Sequence, residues 1–188
     1  MGRLWIWVCM FGVLACAPKS VEPQLLAPKG TSTEVMVIYR PMNLGALEDG
    51  PDKVKAVTSK TLAAYQMGPR MVDAEPLLEG ISQRRTTRQR VLYLAEQSGQ
   101  DGEWTLLMET SARFYSELSG RYRWVVEVAV GLGPPTNGER VHIETFDIPV
   151  FLDFQHQQGR DAVDSASPLI GRKLERIIEV FEADLSER

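Results

Sequence analysis

The residues of this chain that could do chemistry are few and scattered. His142 and His156 are its only imidazoles. His142 shares one side of an extended stretch with Glu144, and Asp147 and Asp153 follow. A metal site needs three or four convergent ligands, and no recognised spacing joins these residues. Neither a metal nor another cofactor is expected. The serines lie outside any Gly-x-Ser-x-Gly elbow. No phosphate loop or dinucleotide fingerprint occurs. No catalytic residue is assigned, and the chain is not expected to be an enzyme. Two basic groups remain. Arg84, Arg85, Arg88 and Arg90 form the densest cluster. On a helix, Arg84, Arg85 and Arg88 share a side and would form a patch for anionic headgroups, phosphates or carboxylates. The plainer reading is a solvated face balanced by Glu75, Glu79 and Glu96. Arg113, Arg121 and Arg123 interleave with Tyr115, Tyr122 and Trp124, a mixture enriched at interface hot spots. With Glu109 and Glu127 they make a candidate interaction face. The plainer reading puts Tyr122 and Trp124 in the core, with the arginines partnering Glu109, Glu117 and Glu127.

The remaining reactive group is a thiol. Arg3 precedes an unbroken apolar run from Leu4 to Ala15, Cys16 follows, and polarity switches at Ala17-Pro18-Lys19-Ser20. The run is shorter than the ~20 residues of a spanning helix and has the form of an export leader. Val13-Leu14-Ala15-Cys16 resembles the lipobox of bacterial lipoproteins. The resemblance implies cleavage after Ala15, removal of residues 1–15, and lipidation of Cys16. Two or three acyl chains hold a protein firmly where one holds it marginally. An ordinary secretory signal and an uncleaved anchor are the alternatives. Cys9 lies within the leader, so Cys16 would be the one cysteine retained. Internal disulfides, thiolate clusters and a cysteine nucleophile are then excluded.

Hydrophobic content of 44% and charged content of 24% are ordinary for a globular domain. The net charge of −4 gives no electrostatic footprint for nucleic acid. Residues 16–33 carry Pro18, Pro23 and Pro28 and read as a lipidated, extended tether. Residues 34–188 are expected to form one domain.

Within it, Val35 to Tyr39 predicts a buried strand. Asp52 opens a helix carrying Val54, Val57, Thr61 and Leu62. Arg70-Met71-Val72 predicts a short strand. Asp73 and Pro76 start a helical region that divides near Thr86-Thr87. The period then becomes two. Strands are expected from Trp104 to Tyr115, from Arg121 to Leu132 and from Arg140 to about Phe151. A closing helix from about Asp161 to Ser186 carries Val163, Ala166, Ile170, Leu174, Ile177, Phe181 and Leu185. Pro168 inside it implies a kink or a late start.

A hairpin turn centred on Leu118 sets Met108 against Val128 and Ala112 against Trp124, an apolar face needing a cover. It also sets Arg113 beside Arg123, which is unfavourable. Either the register is displaced by two residues, or a ligand, diagonal partners or water relieve the charges. The half-polar second face predicts an α/β, two-layer sandwich: a mixed, mostly antiparallel sheet with helices on one face.

The segment Gly68-Pro69-Arg70-Met71-Val72-Asp73, within this order of elements, is similar to periplasmic α/β domains of one group. These are the TolB amino-terminal type, curli-secretion lipoproteins and lipoprotein activators of penicillin-binding proteins. The resemblance implies a non-enzymatic domain that docks on envelope proteins or assembles with copies of itself. Expected partners are the membrane, through Cys16, and another envelope protein, with no nucleic acid. In Gram-negative lipoproteins an Asp after the lipidated cysteine retains the protein at the inner membrane. Ala17 here implies the outer membrane, or the cell membrane where there is only one. Lipid or lipopolysaccharide handling is the first alternative and a small envelope hydrolase the second.

Overall fold

The apolar run from Val35 to Tyr39 is buried at every position, which a strand achieves only when both of its faces are covered. The structure, a computed structural model, describes residues 33–42, 52–97, 103–133 and 141–186, with side chains up to residue 181. The leader, Cys16, the tether before Thr33, the turn after Gly133 and the Leu185 side chain lie outside the described residues.

In chain order the elements are β1 (Thr33–Met42), α1 (Asp52–Ala64), β2 (Met67–Val72), a 3-10 turn (Glu75–Leu77) leading into α2 (Leu78–Ser82), and α3 (Thr87–Gln97). The long strands β3 (Trp104–Leu118), β4 (Arg121–Gly133) and β5 (His142–Leu152) follow, then α4 (Gly159–Ser186). The strands form one sheet in the order β2-β1-β3-β4-β5. β1 runs parallel to β2 and β3, and the longer β3-β4 and β4-β5 ladders are antiparallel. The mixed, mostly antiparallel α/β fold is as expected.

The helices are not confined to one face. Val35, Val37, Leu106, Met108, Val126, Val128, Ile148 and Val150 pack with α1 and α4 in the larger core. The opposite parity, Met36, Ile38 and Leu107, packs with Ile81, Val91 and Leu94 of α2 and α3 in a second core. The second face is therefore half covered, and the two-layer expectation is corrected. The sequence hides this because α2 and α3 are short and bury only three side chains between them. Room for α3 comes from β4. Its second-face positions run Arg123, Val125, Glu127, Ala129, Gly131, Gly133, shrinking toward the helix. A Cβ on Gly131 would stand 2.4 Å from Val91 Cγ2, so only glycine lets α3 approach so closely.

Pro168 sits inside α4, which runs through it without a late start. Proline removes the N–H that would reach the carbonyl four residues back. That carbonyl, Asp164 O, instead accepts from Ser167 Oγ at 2.7 Å.

The hairpin register differs from a turn centred on Leu118. Ser119 and Gly120 form the turn, with φ of 52° and 76°; two positive values in a row match a two-residue type I′ hairpin. Ala112 faces Val126 and Met108 faces Val130, displaced by two residues, and a bulge at Tyr115 interrupts the ladder. Arg113 therefore faces Val125, not Arg123. Trp124 lies at the margin of the larger core, edge-on to Phe114 at 5.7 Å between ring centres.

Candidate interaction face

Strand pairing arranges the second face into cross-strand rows. Nearest the hairpin tip, Ser116, Arg123 and Phe151 align, with the bulged Tyr115 alongside; then come Arg113, Val125 and Pro149. Ser111, Glu127 and Asp147 form the next row, followed by Glu109, Ala129 and Thr145. The row of Leu107, Gly131 and Ile143 passes beside α3. Among the described residues no element covers the rows between α3 and the tip, a bare strip whose character changes from cationic-aromatic, through the mixed row of Arg113, Val125 and Pro149, to acidic.

At the tip end the Arg123 guanidinium lies 4.6 Å from the centre of the Tyr115 ring. Tyr115 and Phe151 are 57% and 51% exposed. The bulge rotates the strand locally, which swings Tyr115 over Arg123. In the middle, Arg113 Nε donates to Glu127 Oε1 at 2.9 Å, a diagonal pairing that relieves the charge. Ser111 Oγ donates to Glu127 Oε2 at 3.3 Å. Asp147 is exposed and directly opposite Glu127. A cleft of about 250 Å³ lies between this acidic row and α3, with Ala129, Arg90, Met42 and Thr145 in its lining.

Four of the six expected interaction-face residues, Arg113, Tyr115, Arg123 and Glu127, come together on this strip. Arg121 stands at the turn, 3.6 Å from Asp153. Glu109 does not belong to an exposed face. It is 3% exposed and accepts from Arg40 Nη1 at 2.9 Å and from Arg90 Nη2 at 2.5 Å. Two cations converge on this one carboxylate beneath α3, a contact between residues too distant in sequence to be read from spacing.

The basic cluster divides. Arg90 turns inward to Glu109. Arg84 Nη1 donates to the Gly80 carbonyl, and its guanidinium lies 3.7 Å over the Tyr93 ring. Arg85 and Arg88 remain exposed. Neither histidine joins a cluster of acids in the described residues. His142 faces α4, 6.3 Å from the Phe181 ring and 4.0 Å from Glu144, while Asp147 points to the other face. His156 stacks on Phe154. Among the described residues no group of three or more His, Cys, Asp or Glu is placed to hold a metal ion. No described helix is long and apolar enough to cross a membrane.

Sequence reasoning missed Arg40 and Glu103 as members of ion pairs that bury a carboxylate. Glu103 is 1% exposed and receives Arg70 through two hydrogen bonds of 2.6 Å. Those bonds raise the Arg70 pKa above its usual value. The signal that was readable is the shrinking series on β4, which marks where a helix must lie.

No family model matches the chain, and no curated protein matches it. Solved structures resemble it at low identity. The PelC dodecamer from Paraburkholderia phytofirmans aligns at 18% identity and a TM-score of 0.45, covering 78% of this chain and 87% of that one. Lipoprotein GNA1162 from Neisseria meningitidis aligns at 15% identity and 0.42, covering 80% and 99%. The rare lipoprotein B from Shewanella oneidensis aligns at 8% identity and 0.31, covering 81% and 94%. Likeness at this level concerns architecture alone.

Proposed function

We propose that this chain is a lipid-anchored envelope protein whose domain is a non-enzymatic docking and assembly module. The observation that carries the reading is the half-covered second face: a strip with an arginine-aromatic end at the hairpin tip and an acidic row toward α3. Such a surface pairs exposed apolar area with fixed polar groups, the composition of a protein interface. The outer strands β2 and β5 carry Pro69 and Pro149. Proline cannot donate to a ladder, and it discourages strand addition at a sheet edge. Docking is thus directed to the face. The leader and Cys16 support an anchor made by acyl chains, and Ala17 supports the outer membrane where two membranes exist.

Lipid handling fits less well, because the cleft beside Ala129 is rimmed by Arg90, Glu109, Glu127 and Asp147, which acyl chains avoid. Hydrolysis fits less well too. Ser111 donates to Glu127, and its cleft contains no histidine to activate it.

Two measurements test the reading. Cys16→Ala should abolish labelling by a fatty-acid probe; persistent labelling would remove the anchor. Capture from solubilised envelopes should recover a specific partner with the unaltered chain and lose it with Tyr115→Ala/Phe151→Ala. Capture indifferent to that pair of changes would show that the tip end of the strip is not the docking surface.

A further inference from the structure

We infer that the occupant of the bare strip beside α3 is a second copy of this chain, seated face to face across a two-fold axis. This rests on reading the strip as a docking surface and names what docks there.

The first argument is shape. α2 and α3 stand as a ridge on one half of the second face, and the other half is bare among the described residues. α3 begins at the boundary between the two. Thr87 Oγ1 donates to Glu109 Oε2, and Val91 lies against Gly131 and Gly133, farther from the tip. The ridge therefore runs away from the strip along the strand direction. A two-fold axis across that boundary turns one copy's ridge onto the other copy's strip, and the reverse. Such a contact is isologous and closed. It would bury the exposed aromatic rows without using either proline-bearing edge.

The second argument is the order of charges. Arg88, Leu92 and Glu96 follow one another along the outer side of α3, spanning about 12 Å at helical rise. Arg88 and Glu96 are exposed and Leu92 is half-buried. On the strip, Glu127, Val125 and Arg123 span about 13 Å at strand rise. Asp147 lies beside Glu127, which already pairs with Arg113, and the buried Val125 stands between Arg113 and Pro149. The helix reads positive, apolar, negative from the boundary outward. The strip runs from acidic at the boundary, where Asp147 is exposed, to cationic farther out, at Arg113 and Arg123. The two-fold superposes the two series with opposite charges facing. Each copy supplies both series, so every match occurs twice.

The test uses the full chain solubilised in detergent, with sedimentation over a range of concentrations. The unaltered chain should dimerise. Asp147→Arg and Arg88→Glu, both at exposed positions, should each weaken dimerisation by about tenfold or more, since like charges then face each other. Combining them should restore it. Glu96→Arg should weaken it at the other end of the match. Thermal melting of each variant separates lost association from lost folding. A monomer at every concentration overturns the inference, even if the chain captures another protein or binds lipid vesicles. A dimer indifferent to both reversals overturns it, as does a double variant that fails to recover. The capture measurement with Tyr115 and Phe151 altered reads the broader docking role separately, so the two ideas can fail independently.

Discussion

Arg90 spends every one of its N–H groups between Glu109 and the start of α3. Nε and Nη2 donate to Glu109 Oε2 at 3.1 and 2.5 Å. Nη1 donates to the carbonyls of Arg84 and Arg85 at 3.0 and 3.2 Å, and Nη2 also donates to Thr87 Oγ1 at 3.0 Å. A guanidinium has five such hydrogens, so none is left for a ligand. The residue pins the connection between α2 and α3 to the sheet.

Breaking that pin should be costly. Arg90→Met leaves Glu109 at 3% exposure with only Arg40 to balance it. Removing one partner of a buried pair typically costs about 3–5 kcal/mol. Arg113→Ser should cost less than about 1 kcal/mol, because the Arg113–Glu127 pair is roughly half exposed on both sides. Denaturant unfolding of the two variants checks the contrast. Equal losses would mean that Glu109 is not specially dependent on Arg90.

The sequence reveals most of what lies along single elements. The run from Val35 to Tyr39, the stripe of α4 and the two-residue alternation of β3 and β4 depend on neighbours a few positions apart, and periodicity reports those. It conceals what depends on pairing. A hairpin register changes when one bulge or turn residue is assigned differently, and Tyr115 and Ser119 decide it here. Glu109 looks like a surface acid because Arg40 and Arg90 approach from other elements. The candidate site was legible in the types of Arg113, Tyr115, Arg123 and Glu127. Its acidic partner Asp147 was not, since β5 had first to be paired with β4.

The phenol of Tyr39 should resist ionisation. It is 7% exposed and hydrogen-bonded with Thr110 Oγ1 at 2.5 Å. Burial is the largest cause raising its pKa from 10.0 to about 12; the Thr110 hydrogen bond opposes the rise and the charge of Asp164 adds to it. The folded state therefore holds this proton more tightly than the unfolded state. Its contribution to stability is complete below about pH 10 and is lost as pH rises through about 12. Ultraviolet titration should show a tyrosine ionising about two units late, absent in Tyr39→Phe. A normal titration of every tyrosine would place Tyr39 in solvent.

Gly131→Ala tests whether α3 rests on β4. The added carbon would stand 2.4 Å from Val91 Cγ2 and 3.3 Å from Thr87 Cγ2. The first distance is too short for any pair of carbons, so either α3 lifts or the strand yields. Overpacking of this kind costs about 1–3 kcal/mol. Lifting α3 would also pull Arg90 away from Glu109 and open the second core at Met36, Ile38 and Leu107. Val91→Ala alone should destabilise by removing buried methyl groups. Combined with Gly131→Ala, it should cost less than the sum of the two single changes, because the new methyl occupies the space that valine left. Additive losses, or a neutral Gly131→Ala, would mean that α3 does not lie on this strand.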